Sequence, residues 1–229
     1  MNMRIKTGIE GLDDMLNGGI PKGHTVAVIG AFGTGKTTFA MQFIWEGLIN
    51  GERCIFLSLE EDEDSVVESA SKFGWDYSKY LGSQLQLLKL DPEDAKSSVE
   101  RLESDIPELI KEFEATRIAV DSISLITMMY NSIDEKRKVV FKLAKSIKES
   151  GATAVFTAEV DPKNPKVSRD GIVEYVVDGV ILLSFLEENN VVKLTIRVLK
   201  MRRTQHSREV KLYEIGEGGI NVLAQADVF

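Results

Sequence analysis

Residues Gly30-Ala31-Phe32-Gly33-Thr34-Gly35-Lys36-Thr37 satisfy G-x-x-x-x-G-K-[ST] at every fixed position, and their surroundings narrow the fold more than any other part of the chain. His24-Thr-Val-Ala-Val-Ile29 ahead of them is an apolar run of strand length, and Thr38-Phe-Ala-Met-Gln-Phe-Ile-Trp behind them reads as helix. A strand that feeds a helix through a glycine loop predicts a βαβ unit. The same loop is an anion cradle. Glycines let backbone N–H groups close around a phosphate, and the helix N-terminus adds its partial positive charge. Gly30, Gly33, Thr34, Gly35, Lys36, Thr37 and Thr38 are therefore the candidate nucleotide-binding residues. Lys36 is placed to reach β- and γ-phosphates, and the Thr37 hydroxyl to hold Mg²⁺.

Downstream, apolar strand-length runs alternate with helical segments. Arg53 to Leu59 reads as strand, Asp64 to Phe73 as helix, and Leu85 to Leu90 as strand. A long helix is expected from about Glu93 to Glu114, kinked or split at Pro107. Ile118-Ala-Val-Asp121 is a strand, Asp134 to Glu149 a helix, and Thr153 to Ala158 a strand; Gly51, Gly74 and Gly151 mark helix ends. This alternation predicts an α/β fold with a mostly parallel sheet covered by helices on both faces. After Gly179 the pattern changes to a hairpin, Val180 to Phe185 and Val191 to Leu199, then strands Arg208 to Ile215 and Gly219 to Leu223. The sheet is therefore expected to finish in antiparallel strands. With 229 residues, no linker-like tract and no second P-loop, residues 1–229 are expected to form one domain.

Net charge is −8, which argues against broad adhesion to DNA or to an anionic membrane. The charge is uneven, with acidic residues between Asp91 and Glu114 and a basic stretch from Lys193 to Lys211. No apolar run is long enough to span a bilayer, and Met1-Asn-Met-Arg-Ile-Lys lacks a signal-peptide core, so a cytoplasmic location is expected. Cys54 is a lone cysteine in an apolar run, which suits a buried strand position. His24 and His206 have no metal-ligand spacing.

Three groups of residues carry chemistry. Asp121 ends an apolar strand, where parallel sheets present their ligands, and is placed to hold Mg²⁺ opposite Thr37. Glu60 and Glu61 follow the strand ending at Leu59, and a carboxylate there can orient and deprotonate a water in line with the γ-phosphate. Repulsion between adjacent carboxylates raises one of them toward a useful base; the start of a helix, where acids are also favoured, explains the same residues structurally. Lys200, Arg202, Thr204 and His206 share one side if their strand continues, making a row suited to phosphate contact. Supplied by a neighbouring subunit, such a row acts as an arginine finger does. A solvated strand face is the plain alternative.

Taken together, these residues resemble the KaiC-like ATPases of the RecA superfamily, and the single-domain archaeal-type members in length. The resemblance is carried by Thr7-Gly-Ile-x-Gly-Leu-Asp13, Gly18-Gly-Ile-Pro21, the P-loop, Leu59-Glu-Glu61 and Phe73-Gly-Trp75. Ile118-Ala-Val-Asp-Ser122, Glu174-Tyr-Val-Val-Asp178 and Lys200-Met-Arg-x-Thr-x-His206 complete it. It implies a RecA-like core and a ring, usually of six copies, with ATP and Mg²⁺ held between neighbours and hydrolysed to ADP and phosphate. Glu60 and Glu61 match the family's paired catalytic glutamates. Lys200 and Arg202 match residues that reach the next subunit's γ-phosphate, and Thr204 and His206 line that nucleotide from the same side.

Three departures from the family pattern stand out. Arg203 stands where glycine is usual, and Val160 where the clock proteins carry arginine. Glu174 and Tyr175 occupy the places of the clock family's phosphorylated Ser/Thr pair, so the resemblance does not extend to Ser/Thr autokinase activity. Two other readings use the same site: a nucleotide-gated interaction module that signals to a protein partner with negligible turnover, and a DNA-dependent ATPase. For the last, the stretches Ser124 to Asp134 and Val160 to Gly171, read as loops, offer only Lys163, Lys166 and Arg169, offset by Asp161 and Asp170. DNA is therefore not favoured.

Overall fold

The computed structural model describes residues 3–90, 104–188 and 190–223. A two-stranded ribbon of β1 (Arg4–Ile5) and β2 (Ile20–Pro21) brackets α1 (Leu12–Met15). Then come β3 (Thr25–Gly30), α2 (Lys36–Ile49), β4 (Cys54–Ser58), α3 (Glu63–Ser71) and β5 (Leu85–Lys89). The chain continues with α4 (Ile106–Glu112), β6 (Arg117–Asp121), α5 (Ile123–Met128), α6 (Ile133–Ser150), β7 (Thr153–Asp161), β8 (Asn164–Ser168) and α7 (Val173–Val176). It finishes with β9 (Gly179–Glu188), β10 (Val191–Met201), β11 (Val210–Gly216) and β12 (Gly219–Val222).

The main sheet is ten-stranded, in the order β12-β11-β10-β9-β3-β7-β6-β4-β5, with β8 attached to β7. From β9 through β5 every pairing is parallel, and β10, β11 and β12 add antiparallel ribbons beyond β9. The α/β architecture and the antiparallel finish are those expected from the sequence. Period-two alternation sorts the buried residues of β3 between two cores. Val26 and Val28 pack with α1, α2 and α3 on one face. Ala27 and Ile29 pack with α4, α5, α6 and α7 on the other. Both faces are covered, which is why the central strands read as continuous apolar runs.

Several expectations need correction. Pro107 lies in the first turn of α4, directly after the π-helical pair Ser104-Asp105, so the helical geometry changes beside the proline. The first part of the expected helix, 93–103, lies outside the described residues, as does most of the acidic stretch. The two stretches read as loops contain structure, α5 in the first and β8 in the second. The row from Lys200 to His206 does not form one strand face. β10 ends at Met201, a bulge intervenes between Val198 and Lys200, and Arg202-Arg203 is a turn.

The opening motif is a clasp on the P-loop helix. Thr7 donates through its backbone N–H and its hydroxyl to Asp13 Oδ1, at 2.9 and 3.0 Å. Burial raises the Asp13 carboxyl above the usual carboxylate range, against the lowering effect of those Thr7 bonds. Gln42 of α2 donates to Gly8 O at 2.8 Å and to Ile220 O at 3.1 Å, and accepts from Ile220 N–H at 2.7 Å. Arg117, 2 % exposed, adds a tie from β6: it donates to Phe43 O and Lys6 O and pairs with Glu52 at 2.7 Å. The start of α2 is thus anchored on a helix braced along its length. Among the described residues no helix is long and apolar enough to cross a membrane.

Candidate nucleotide site

Register brings the candidate residues to one edge of the sheet. Gly30 pairs with Glu159 across β3 and β7, and Ser58 pairs with Asp121 across β4 and β6. Strands in a sheet lie about 4.8 Å apart, so the carboxyl ends of β3, β7, β6 and β4 set Lys36, Glu159, Asp121 and Glu60 around one opening.

The loop geometry is that of an anion cradle. Gly35 is the N-cap of α2 in the left-handed region, φ 81°, and Ile215 Cδ1 would stand 2.5 Å from a Cβ there. Only glycine meets both conditions at low cost. A Cβ on Gly30 would lie 2.6 Å from Thr34 Oγ1 and 2.8 Å from Leu183 O, so the turn closes only without one. Thr34 Oγ1 donates to Ala31 O at 2.7 Å, and Tyr213 of β11 donates its hydroxyl to Thr34 O. Lys36 and Thr37 are the first residues of α2, where backbone N–H groups lack intrahelical acceptors. Thr38 follows on the same turn.

Lys36 donates Nζ to Ala31 O at 3.0 Å, so its ammonium lies back across the loop. Burial lowers its pKa, while Glu159, Asp121 and Glu60 favour its charged form. Glu60 responds in the opposite sense. Loss of water around its carboxyl, then the charges of Asp121 and Glu159, raise it above the usual carboxylate range, with Lys36 opposing and Glu61 adding to the rise. Asp121 accepts a hydrogen bond from the Thr157 hydroxyl. Ser58 Oγ accepts from the N–H groups of Glu60 and Glu61, at 3.3 and 2.9 Å, and so shapes the turn on which both glutamates sit. Glu61 Oε2 is buried without a hydrogen-bond partner among the described residues.

These features fit a triphosphate with magnesium. The cradle has room only where glycine leaves it, a buried glutamate oxygen lacks a donor, and an ammonium lies over the loop. No group of three or more His, Cys, Asp or Glu among the described residues could hold a metal alone.

Lys200, Arg202, Thr204 and His206 lie elsewhere. Met201 pairs with Gly179, which pairs with Val26, whereas the P-loop leaves β3 at Gly30. The intervening residues separate the two groups by about 13 Å along the strand direction. Lys200 Nζ donates to Glu174 O at 2.8 Å and Val177 O at 2.6 Å. Arg202 pairs with Asp178 at 3.3 Å, Thr204 Oγ1 accepts from Arg4 at 2.9 Å, and His206 Nδ1 lies 2.7 Å from Ser207 O. Burial works against ionised Asp178, yet Thr25 N–H, Lys148 and His24 hold its carboxyl below the usual range.

The departures also acquire physical meaning. Arg203 has φ 57°, a conformation in which a side chain is strained and glycine is not. Arg203→Gly is therefore expected to raise stability by about 1 kcal/mol. Thermal unfolding checks this, and an unchanged or lower Tm would mean that the arginine side chain offsets the strain. Val160 is buried in the second core, so its side chain does not face the cradle. Of the cations weighed for DNA, Arg169 is paired with Glu159 at 2.9 Å. Sequence reasoning assigned no role to Thr157 or Glu159. Glu159 was accessible to the strand-end rule that found Asp121; the Thr157 contact depends on strand pairing and carried no signal.

Comparison with known proteins agrees with this geometry. A model of the KaiC ATPase family matches residues 5–227. The circadian clock oscillator protein KaiC of Prochlorococcus marinus subsp. pastoris is 36 % identical over 234 residues, covering 96 % of this chain and 45 % of that protein. The protein of the same name from Synechococcus elongatus is 31 % identical over 231 residues, covering 96 % and 44 %. The chain thus spans less than half the length of these relatives. The crystal structure of a KaiC-like protein from the archaeon Pyrococcus horikoshii OT3 superposes with a TM-score of 0.86 at 35 % identity, covering 97 % of this chain and all of that one. With a P-loop on a braced helix, carboxylates at the adjoining strand ends and this match along nearly its whole described length, the chain belongs to the KaiC family of ATPases, within the RecA superfamily.

Proposed function

We propose that this protein hydrolyses ATP to ADP and phosphate at sites completed by a neighbouring copy of the same chain. The observation that carries the reading is the separation of two phosphate-binding sets. The cradle lies at the carboxyl end of β3, whereas Lys200 and Arg202 lie two strands away, level with Ala27 and Thr25 toward its amino end. One chain does not bring both to one phosphate; two chains in sequence do. A closed ring, of six copies by resemblance, satisfies every site at once.

In this reading the P-loop amides and Lys36 hold the β- and γ-phosphates, while Thr37 and Asp121 hold Mg²⁺, with Thr157 orienting the Asp121 carboxylate. Magnesium, when bound, neutralises charge on the phosphate oxygens. Glu60 is the base. Its carboxyl is raised toward a useful pKa and stands among the groups that face Lys36. Glu61, with its buried unpartnered oxygen, supports the same turn and offers an acceptor to the metal's water shell. Lys200 and Arg202, moved off Glu174, Val177 and Asp178, absorb charge developing on the neighbour's γ-phosphate. Thr204 and His206 flank that nucleotide. The protein acts in the cytoplasm, and any protein partner reads the nucleotide state of the ring.

Hydrolysis per subunit, measured against protein concentration with Lys36→Ala as the blank, tests the proposal. The rate is expected to rise steeply as copies associate. A rate per subunit that stays constant down to the monomer would overturn the shared site.

A further inference from the structure

Glu159 lies near the carboxyl end of β7, level with Gly30, and is half exposed, as is Arg169, whose guanidinium lies 2.9 Å from its carboxylate. The Arg169 N–H also donates to Glu159 O at 2.8 Å, and Glu159 N–H donates to Ser124 Oγ at 2.9 Å. The residues beside Arg169 are tied down separately. Ser168 donates through its N–H and hydroxyl to the Glu174 carboxylate. Asp170 pairs with Lys136 at 2.7 Å and accepts from the Thr127 hydroxyl. Arg169 is therefore held in place by the segment that carries it, between β8 and α7. A carboxylate at the mouth of a phosphate cradle opposes an anionic ligand, and a guanidinium on that carboxylate cancels the opposition.

We propose that Glu159 and Arg169 form an opposed charge pair that sets the affinity of the cradle, so that nucleotide binding depends on where the segment between β8 and α7 holds Arg169. The proposal rests on the reading that the P-loop holds a nucleoside triphosphate. Glu159 reaches the cradle by its register, opposite Gly30 at the start of the P-loop, beside the loop over which the Lys36 ammonium lies. Both residues are positioning residues, acting on bound nucleotide through charge rather than contact. A bridge that merely held the loop would depend on both partners alike; a charge pair depends on them with opposite sign.

The test is a titration of the full chain with a fluorescent ribose-labelled ATP and magnesium, at low and at physiological salt, alongside thermal unfolding. Arg169→Gln is expected to weaken binding about three- to tenfold, the scale of one partly screened unit charge. Glu159→Gln is expected to tighten it by a similar factor. The double variant returns toward wild type, Arg169→Lys stays near it, and all differences shrink as salt rises. If both single variants weaken binding and the double variant recovers nothing, the pair is structural and the proposal is overturned. Lys36→Ala separates the two levels. If it binds the probe as the wild type does, the nucleotide reading itself fails; if it does not bind while the single variants move together, only the charge pair fails.

Discussion

Arg202→Ala is expected to lower ATP hydrolysis by about 10³–10⁵-fold, the range for removing an arginine that neutralises a phosphoryl transition state. Nucleotide affinity of the chain's own cradle should change little, because Arg202 sits two strands away and level with the amino end of β3, opposite that cradle. Mixing makes the assignment unambiguous. Arg202→Ala keeps an intact cradle and Lys36→Ala keeps an intact Arg202. Neither is active alone, yet a mixed assembly contains interfaces with one good half from each. Recovered hydrolysis on mixing supports the shared site, and none in an assembly shown to be mixed would sink it. The Arg202–Asp178 pair is half exposed on the arginine side, so its loss contributes little to stability. The variant is expected to unfold near the wild-type temperature.

Glu60→Gln is expected to lower the rate about 10²–10⁴-fold, the usual cost of losing a positioned base. Its pH behaviour distinguishes it from Glu61. Burial and the charges of Asp121 and Glu159 raise the Glu60 carboxyl, so it keeps its own proton, and cannot act as a base, up to a higher pH than an ordinary glutamate. The acid limb of the rate profile should therefore lie above the usual carboxylate range, with activity rising as pH rises through it. The stability sign runs the other way. A carboxyl raised on folding destabilises the folded state above its folded pKa, so Glu60→Gln should unfold at the wild-type temperature or higher at neutral pH. A variant that lost activity together with stability would place Glu60 in the scaffold instead. Retained activity in Glu60→Gln with loss in Glu61→Gln would transfer the role to Glu61.

How far the site was legible can be followed residue by residue. The P-loop was readable because each of its demands is local: a left-handed backbone at Gly35, no Cβ at Gly30, and a helix beginning at Lys36. Asp121 and Glu60 were readable because a strand end is a sequence-visible place at which parallel sheets present ligands. The strand row through His206 misled because alternation holds only while a strand continues, and a bulge followed by the Arg202-Arg203 turn is set by pairing with β9.

By itself the sequence determined the periodicities, the cradle and the order of the elements, because each depends on steric and hydrogen-bonding rules acting over a few residues. The tertiary structure decided which strand ends meet. Pairing β3 with β7 and β4 with β6 sets Glu159 beside Gly30 and Asp121 beside Ser58, bonds Thr157 to Asp121 and leaves Arg202 at the opposite edge. Those adjacencies join residues far apart in the chain, and they arise from covering both faces of one sheet, a condition that no short stretch of sequence contains.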